Sequence, residues 1–331
     1  MRTVIFTEGG KEIGLGHVTR CLSLAEAFKE RGIDIALIIN GGEEVLSVAP
    51  SAILLDWLKD EKEAFSKFIN DADYVVIDSY LAPERYYFKA YRRAERCLFI
   101  DDFKRFDYPG GIVLNGGISA RKLGYQQKEG VKYLLGPEYA PLRKEFWNVE
   151  KKRIRRQIKR VLVTFGMSDV RNMAVSVAES LDLEFPEVEK YVILGLNSKS
   201  YERLRSLENV RVFEGISAEE MKRLMLDCDV AISAGGQTTY ELARVGLTSI
   251  LIATADNQVP NCEGWQKTGF ALYVGRWDKV DARCLLESFK LLENPKVRSR
   301  MSKKGRRTVD GQGARRVVNE ICNITDLLHS W

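Results

Sequence analysis

Residues 3–30 run TVIFTEGGKEIGLGHVTRCLSLAEAFKE. The first five are apolar or β-branched and are followed by a glycine-rich loop at 8–16, the mark of a short buried strand. From His17 to Glu30 the apolar side chains Val18, Cys21, Leu22, Leu24, Ala25 and Phe28 return at helical spacing. A strand, a glycine loop and a helix in succession open a parallel α/β sheet. The backbone N–H groups of the loop and the helix start then gather beyond the end of the strand.

Outward from there the alternation continues. Strands are predicted at 33–39, 74–77, 98–100 and 111–114, and helices at 60–69 and 83–94, the second opened by Pro83. After the run KKRIRRQIKR at 151–160 the pattern restarts, with strands at 160–165, 191–194, 210–213, 230–233 and 249–252. Helices are expected from about 171 and near 201–206, 218–226 and 238–245, then from about 282 to the end with a break near 310–313. The fold class is α/β, with two doubly wound Rossmann-like domains. The first spans 1–148, a basic linker 149–159 and the second 160–310, with a helix at about 311–331 packing back on the first. Ligands of open parallel sheets sit beyond the carboxyl ends of the strands. A cleft between two facing sheets would gather those ends.

The chain has 331 residues, 45% hydrophobic and 29% charged, enough for two cores and too apolar for a disordered chain. No run approaches the roughly 18 apolar residues of a membrane-spanning helix, and residues 3–7 are too few for a signal-peptide core. The expectation is a cytoplasmic monomer without stable membrane insertion. The six cysteines are scattered with no CxxC pair, so they read as small buried hydrophobes rather than disulfides or zinc ligands. Residues 1–150 carry 21 basic and 23 acidic side chains, and the rest 30 and 23. Seven of those basic residues fall in 151–160, so the excess reads as one solvated segment rather than a nucleic-acid or membrane-binding face.

Four loops at strand ends carry side chains suited to chemistry. Residues 9–17 lack the Gly-Lys-Ser/Thr end of a P-loop, and the sixth position from Gly14 is Thr19, so the dinucleotide fingerprint is absent too. Gly14 and Gly16 still open a helix N-terminus toward an anion. His17 follows them, and imidazole takes a proton near neutral pH; a capping or packing histidine is the alternative. In the second loop, Gly235 and Gly236 let backbone amides approach a phosphate. Gln237, Thr238 and Thr239 add hydrogen-bonding groups, and Glu241 could meet ribose hydroxyls or simply complement the helix dipole. The amides of Asn257 and Gln258 suit sugar hydroxyls and acetamido groups, or a plain turn. Asp78 could orient His17 or a water, and Tyr80 could contact a sugar. Asp101 and Asp102 have no third ligand nearby in sequence, so neither a metal nor a cofactor is expected.

Gly14-Leu15-Gly16-His17-Val18-Thr19-Arg20-Cys21-Leu22, Ile77-Asp78-Ser79-Tyr80, Ile100-Asp101-Asp102, Leu135-Gly136-Pro137-Glu138-Tyr139-Ala140-Pro141-Leu142-Arg143, the loop at 233–241 and Asn257-Gln258 occur in that order. Together they resemble the UDP-2,4-diacetamido-2,4,6-trideoxy-β-L-altropyranose hydrolases of the pseudaminic acid pathway. The resemblance implies the GT-B architecture, shared with the lipid-II-forming N-acetylglucosaminyltransferase. It implies a UDP-sugar substrate and hydrolysis by water at the anomeric carbon with His17 as general base. Tyr80 and Asn257 would contact the substrate, and the second glycine loop with Glu241 would hold UDP. The candidate site is therefore His17, Asp78 and Tyr80 for the chemistry. For binding it is Gly14, Gly16, Arg20, Gly166, Ser168, Gly235, Gly236, Gln237, Thr238, Glu241, Asn257 and Gln258. One departure stands out: the family has Gly-Gly-Ser-Asp where this chain has Gly166-Met167-Ser168-Asp169, and a side chain at 167 restricts backbone approach to the ligand. An inverting glycosyltransferase using a UDP-sugar is the rival reading. Nucleic-acid binding ranks last.

Overall fold

In the computed structural model, which describes residues 1–10, 13–94, 96–166, 169, 171–196 and 198–323, the chain divides into two units. One is Met1–Lys144 with Gly311–Trp331, and the other is Glu145–Asp310.

The first unit is built on seven parallel strands: β1 (Arg2–Glu8), β2 (Asp34–Asn40), β3 (Ile53–Leu54), β4 (Tyr74–Asp78), β5 (Arg96–Ile100), β6 (Gly111–Asn115) and β7 (Val131–Leu135). Their order is β3-β2-β1-β4-β5-β6-β7. Inner strands of such a sheet are covered on both faces, which is why Val4, Ile5 and Phe6 of β1 are all fully buried. α1 (Gly16–Lys29) turns Val18, Cys21, Leu24, Ala25 and Phe28 inward, while α2 (Glu61–Phe68) and α3 (Glu84–Tyr91) add Phe65 and Tyr86 to an aromatic core around Phe6 and Trp57. The Trp57 indole N–H finds the Thr7 carbonyl at 2.9 Å, so this buried donor is satisfied.

Among the described residues the second unit holds six parallel strands: β8 (Arg160–Thr164), β9 (Glu189–Leu194), β10 (Val210–Glu214), β11 (Val230–Ala234), β12 (Ser249–Ala253) and β13 (Ala271–Arg276). Their order is β10-β9-β8-β11-β12-β13. The helices between and after them are α4 (Met173–Glu184), α5 (Tyr201–Arg205), α6 (Ala218–Asp227), α7 (Thr238–Val245), α8 (Val259–Thr268), α9 (Ala282–Leu292) and α10 (Pro295–Thr308). The helix expected to run unbroken from 282 is interrupted before α10. Asn294 caps the new helix by accepting the Lys296 N–H at 3.0 Å, and Pro295 takes its first position.

α11 (Gly313–Cys322) belongs to the first unit and packs on α1. Arg315 forks onto Glu30 at 2.7 and 2.6 Å, and Arg316 donates to the Glu138 carbonyl at 2.7 Å. The backbone of Ala140 passes between two glycines. A Cβ on Gly116 would come within 2.8 Å of the Ala140 Cα, and one on Gly313 would strike its carbonyl oxygen. Gly313→Ala is therefore expected to push α11 off this segment and lower stability by about 1–3 kcal/mol, the range for overpacking. Urea unfolding measures it; an unchanged midpoint would mean that the contact relaxes freely. Residues 324–331, including His329, lie outside the described residues.

The basic run is not a solvated linker. Lys152 is buried and donates to the carbonyls of Met225, Leu226 and Cys228. Arg155 pairs with Asp227 and Asp229, and Arg160 with Glu189 and Asp227. These acidic partners sit far along the chain, so the spacing of charges in sequence could not show them. Four of the cysteines, Cys21, Cys97, Cys228 and Cys262, are buried as expected, whereas Cys284 is exposed and Cys322 half-buried.

Candidate active site

Strand order in the first sheet reverses between β1 and β4, the place where open α/β sheets bind ligands. His17 is the second residue of α1 and nearly buried, and its Nδ1 lies 2.7 Å from Oδ1 of Asp78, the last residue of β4. Nδ1 also lies 3.1 Å from Arg20 Nη2; in the tautomer whose Nδ1–H donates to the carboxylate, Nε2 keeps the lone pair. Arg20, one turn further along α1, forks onto Asp78 through Nε and Nη2 at 2.6 Å each. Its Nη1 reaches the two oxygens of Asp102 at 3.0 and 2.7 Å. The Tyr80 hydroxyl donates to Asp102 Oδ2 at 2.5 Å, and its ring meets the His17 ring edge-on with centroids 4.3 Å apart.

The electrostatics of this cluster follow from its pairing. Burial alone would raise the Asp78 pKa, but the Arg20 charge and the His17 imidazole outweigh it and hold the carboxyl well below its ordinary range. Burial, reinforced by the Asp102 charge, pushes the Tyr80 phenol far up, so it stays protonated as a donor. Two carboxylates and one guanidinium leave the cluster with one surplus negative charge while His17 is neutral.

Sequence reasoning placed Arg20 on the ligand, but its guanidinium is engaged by Asp78 and Asp102. Two participants went unread. In sequence Asp102 suggests only a cation ligand. Glu8, fully buried at the end of β1, accepts the Tyr80 N–H at 2.6 Å and the Ser79 hydroxyl, while Ser79 Oγ accepts from the N–H groups of Leu81 and Ala82. Glu8 thereby locks the turn that carries Tyr80. The available signal was a carboxylate closing an otherwise apolar strand. Asp101 faces elsewhere, bracing the N–H groups of Phe103 and Arg105 and the Tyr125 hydroxyl. Among the described residues no group of three or more His, Cys, Asp or Glu side chains could hold a metal. Gly14 exchanges backbone hydrogen bonds with Gly10 at 3.1 and 2.7 Å, so its N–H closes the loop. Gly16, exposed with open space above it, starts α1. Lys11 and Glu12 lie outside the described residues.

In the second sheet the order reverses between β8 and β11. Gly166 follows β8 in a left-handed conformation with open space around it. Met167 and Ser168 lie outside the described residues. Asp169 accepts from the N–H groups of Met173 and Ala174 at 3.0 and 2.9 Å and so caps α4. The loop after β11 is more internal than expected. A Cβ on Gly235 would strike the Cys262 sulfur, and its N–H goes to Gln258 Oε1 at 3.1 Å, which also accepts from Thr254 N at 3.0 Å. Gly235 is thus a packing glycine and Gln258 a brace. The Thr239 hydroxyl is also committed: it donates to the Gly236 carbonyl at 2.7 Å and accepts from the Trp265 indole at 2.8 Å and from Asn261 at 3.1 Å. Gly236 remains open, Gln237 and Thr238 begin α7 half-buried, and Glu241 is buried in its first turn. Asn257 is exposed in the turn Asp256–Gln258, where Asp256 pairs with Arg276 at 2.5 Å.

No protein-family model matches this chain. It is 26% identical over 271 residues to the uncharacterized protein MJ1062 of Methanocaldococcus jannaschii, 76% of this chain and 55% of that one. It is 24% identical over 259 residues to the pseudaminic acid cytidylyltransferase and UDP-2,4-diacetamido-2,4,6-trideoxy-β-L-altropyranose hydrolase of Helicobacter pylori, 77% of this chain and 45% of that one. The chain spans about half the length of both. Similarity to the spore coat polysaccharide biosynthesis protein SpsG of Bacillus subtilis is 24% over 329 residues, 96% and 97% of the two chains. Among solved structures, MurG of Acinetobacter baumannii is similar with a TM-score of 0.70 at 15% identity, over 97% of this chain and 99% of that one. The fold is GT-B: two parallel-sheet α/β units. Among the described residues no helix is long and apolar enough to cross a membrane.

Proposed function

We propose that this chain is a nucleotide-sugar hydrolase that releases UDP from UDP-2,4-diacetamido-2,4,6-trideoxy-β-L-altropyranose or a close relative, in pseudaminic acid biosynthesis. The carrying observation is the 2.7 Å approach of His17 Nδ1 to Asp78 Oδ1; the tautomer that donates there leaves the Nε2 lone pair for a proton. His17 takes a proton from water as the water oxygen bonds to the anomeric carbon. The bond from that carbon to the β-phosphate oxygen breaks, and UDP leaves with the electron pair. The N-terminus of α7 at Thr238, beside the open Gly236, favours the negative charge that develops on the departing UDP. The likeness to the Helicobacter pylori protein supports the choice of sugar.

The likeness to MurG favours a second reading, an inverting glycosyltransferase in which an acceptor hydroxyl replaces water. Incubation with the diacetamido sugar nucleotide, without any acceptor and followed by NMR, separates the two. Rapid formation of UDP and free sugar supports hydrolysis; tight UDP binding without turnover favours transfer. Glu241→Ala is expected to weaken UDP binding about 10- to 100-fold, the loss of one or two hydrogen bonds to a charged group. Calorimetric titration with UDP checks it, and an unchanged affinity in a folded variant removes Glu241 from the site.

A further inference from the structure

The second unit carries a continuous cationic surface that the proposed reaction does not use. Between 294 and 309, the stretch that holds α10, there is no acidic residue, and none occurs between 151 and 160. Lys296, Arg300, Lys303 and Arg307 recur at i, i+4, i+7 and i+11, which places them along one face of α10. At about 1.5 Å per residue that stripe is roughly 16 Å long.

The basic run is drawn alongside. Arg298, fully buried on the inner side of α10, donates to the carbonyls of Arg155 and Arg156 at 3.0 and 3.1 Å. Arg306 donates to those of Glu150 and Val149 at 2.9 and 3.3 Å. Residues 149–156 therefore run antiparallel to α10 as a strap, and a groove of about 560 Å³ lined by Ile154, Ser299 and the stripe lies between them. The strap exposes Lys151, Arg153 and Arg156 beside the stripe. None of these cations has an ion-pair partner among the described residues. The charge excess is thus a face, where sequence spacing suggested one isolated segment.

We infer that this face is a docking surface for a membrane rich in anionic lipid headgroups. Clusters of four to eight Lys and Arg on one helix face suit such surfaces, and their effects add. Among the described residues, the large apolar side chains exposed in this unit, Leu183, Leu196 and Leu291, lie outside both segments, so adsorption is by charge and not by insertion. Neither segment contains an aromatic residue, so the stacking platforms that single-stranded nucleic acids use are missing.

The test is cosedimentation of the full chain with vesicles of one-third phosphatidylglycerol in phosphatidylcholine. Wild type is expected to bind these at low salt, to release at about 1 M NaCl where the Debye length is about 3 Å, and to ignore pure phosphatidylcholine. Arg300→Glu with Lys303→Glu and Arg307→Glu should weaken binding about 100-fold or more. A control with the same charge change at Arg31, Lys122 and Arg205 should bind nearly as wild type does. If the reversal disturbs folding, Lys296→Gln with Lys303→Gln should give the same ordering with a smaller loss. The inference is overturned if wild type leaves the anionic vesicles unbound, if control and stripe variants lose binding alike, or if duplex DNA is bound more tightly than the vesicles at equal salt.

Discussion

His17→Asn is expected to cut turnover about 100-fold or more, the usual range for loss of a general base, while UDP affinity stays within a few-fold. The asymmetry follows from where His17 sits. Its ring is nearly buried between Asp78 and the Tyr80 ring. An asparagine amide can still donate to the Asp78 carboxylate, so Arg20 and Asp102 keep their partners and the cluster stays intact. What is lost is the nitrogen that takes the proton. Steady-state kinetics on the sugar nucleotide, paired with UDP titration, separate chemistry from binding. Turnover near that of wild type would remove His17 from the reaction.

Asp78→Asn is expected to do more damage, lowering turnover roughly a thousand-fold and destabilising the first unit by about 3–5 kcal/mol, as breaking a buried ion pair does. Asparagine presents an N–H group to a site already ringed by the donors of Arg20 and His17. One escape is for His17 to accept at Nδ1, which moves the proton to Nε2 and leaves the imidazole in the wrong tautomer. The change also has a pH signature. Because the folded-state pKa of Asp78 is depressed, the folded protein binds fewer protons there than the unfolded chain. The stabilisation is fully present above the ordinary carboxylate pKa of about 4 and is lost as pH falls through the lower folded value. Urea unfolding between about pH 2.5 and 5 should therefore show a steeper loss in wild type than in Asp78→Asn. Parallel curves would mean that Asp78 is not held ionised.

The fold was legible because its inner strands are short apolar runs closed by glycine loops, and because the order of elements dictates parallel sheets. β3, β7 and β13 escaped notice for physical reasons. β3 is two residues long, β7 is an edge strand with only Val131 and Leu134 buried, and β13 contains Gly275. In the candidate site, His17, Asp78 and Tyr80 could be found because each stands at a strand or helix end. The role of Arg20 could not be, since its direction depends on which strand lies beside α1, and that strand begins far along the chain. The internal contacts of Gly235 and Gln258 were illegible for a related reason. A glycine loop before a helix looks alike whether it admits a phosphate or a neighbouring side chain, and here α8 supplies the side chain.

Because α11 closes the first unit, the second unit is an insertion within it, and the order of synthesis runs against the order of structure. A ribosome adding about 5–20 residues per second emits α1 early. The helix that covers it follows only after the whole of Glu145–Asp310 has emerged, on the order of 15–60 s later. The second unit, contiguous in the chain, can mature first. The first unit must wait as an open sheet with the α1 surface uncovered, and that interval is where a chaperone would find it.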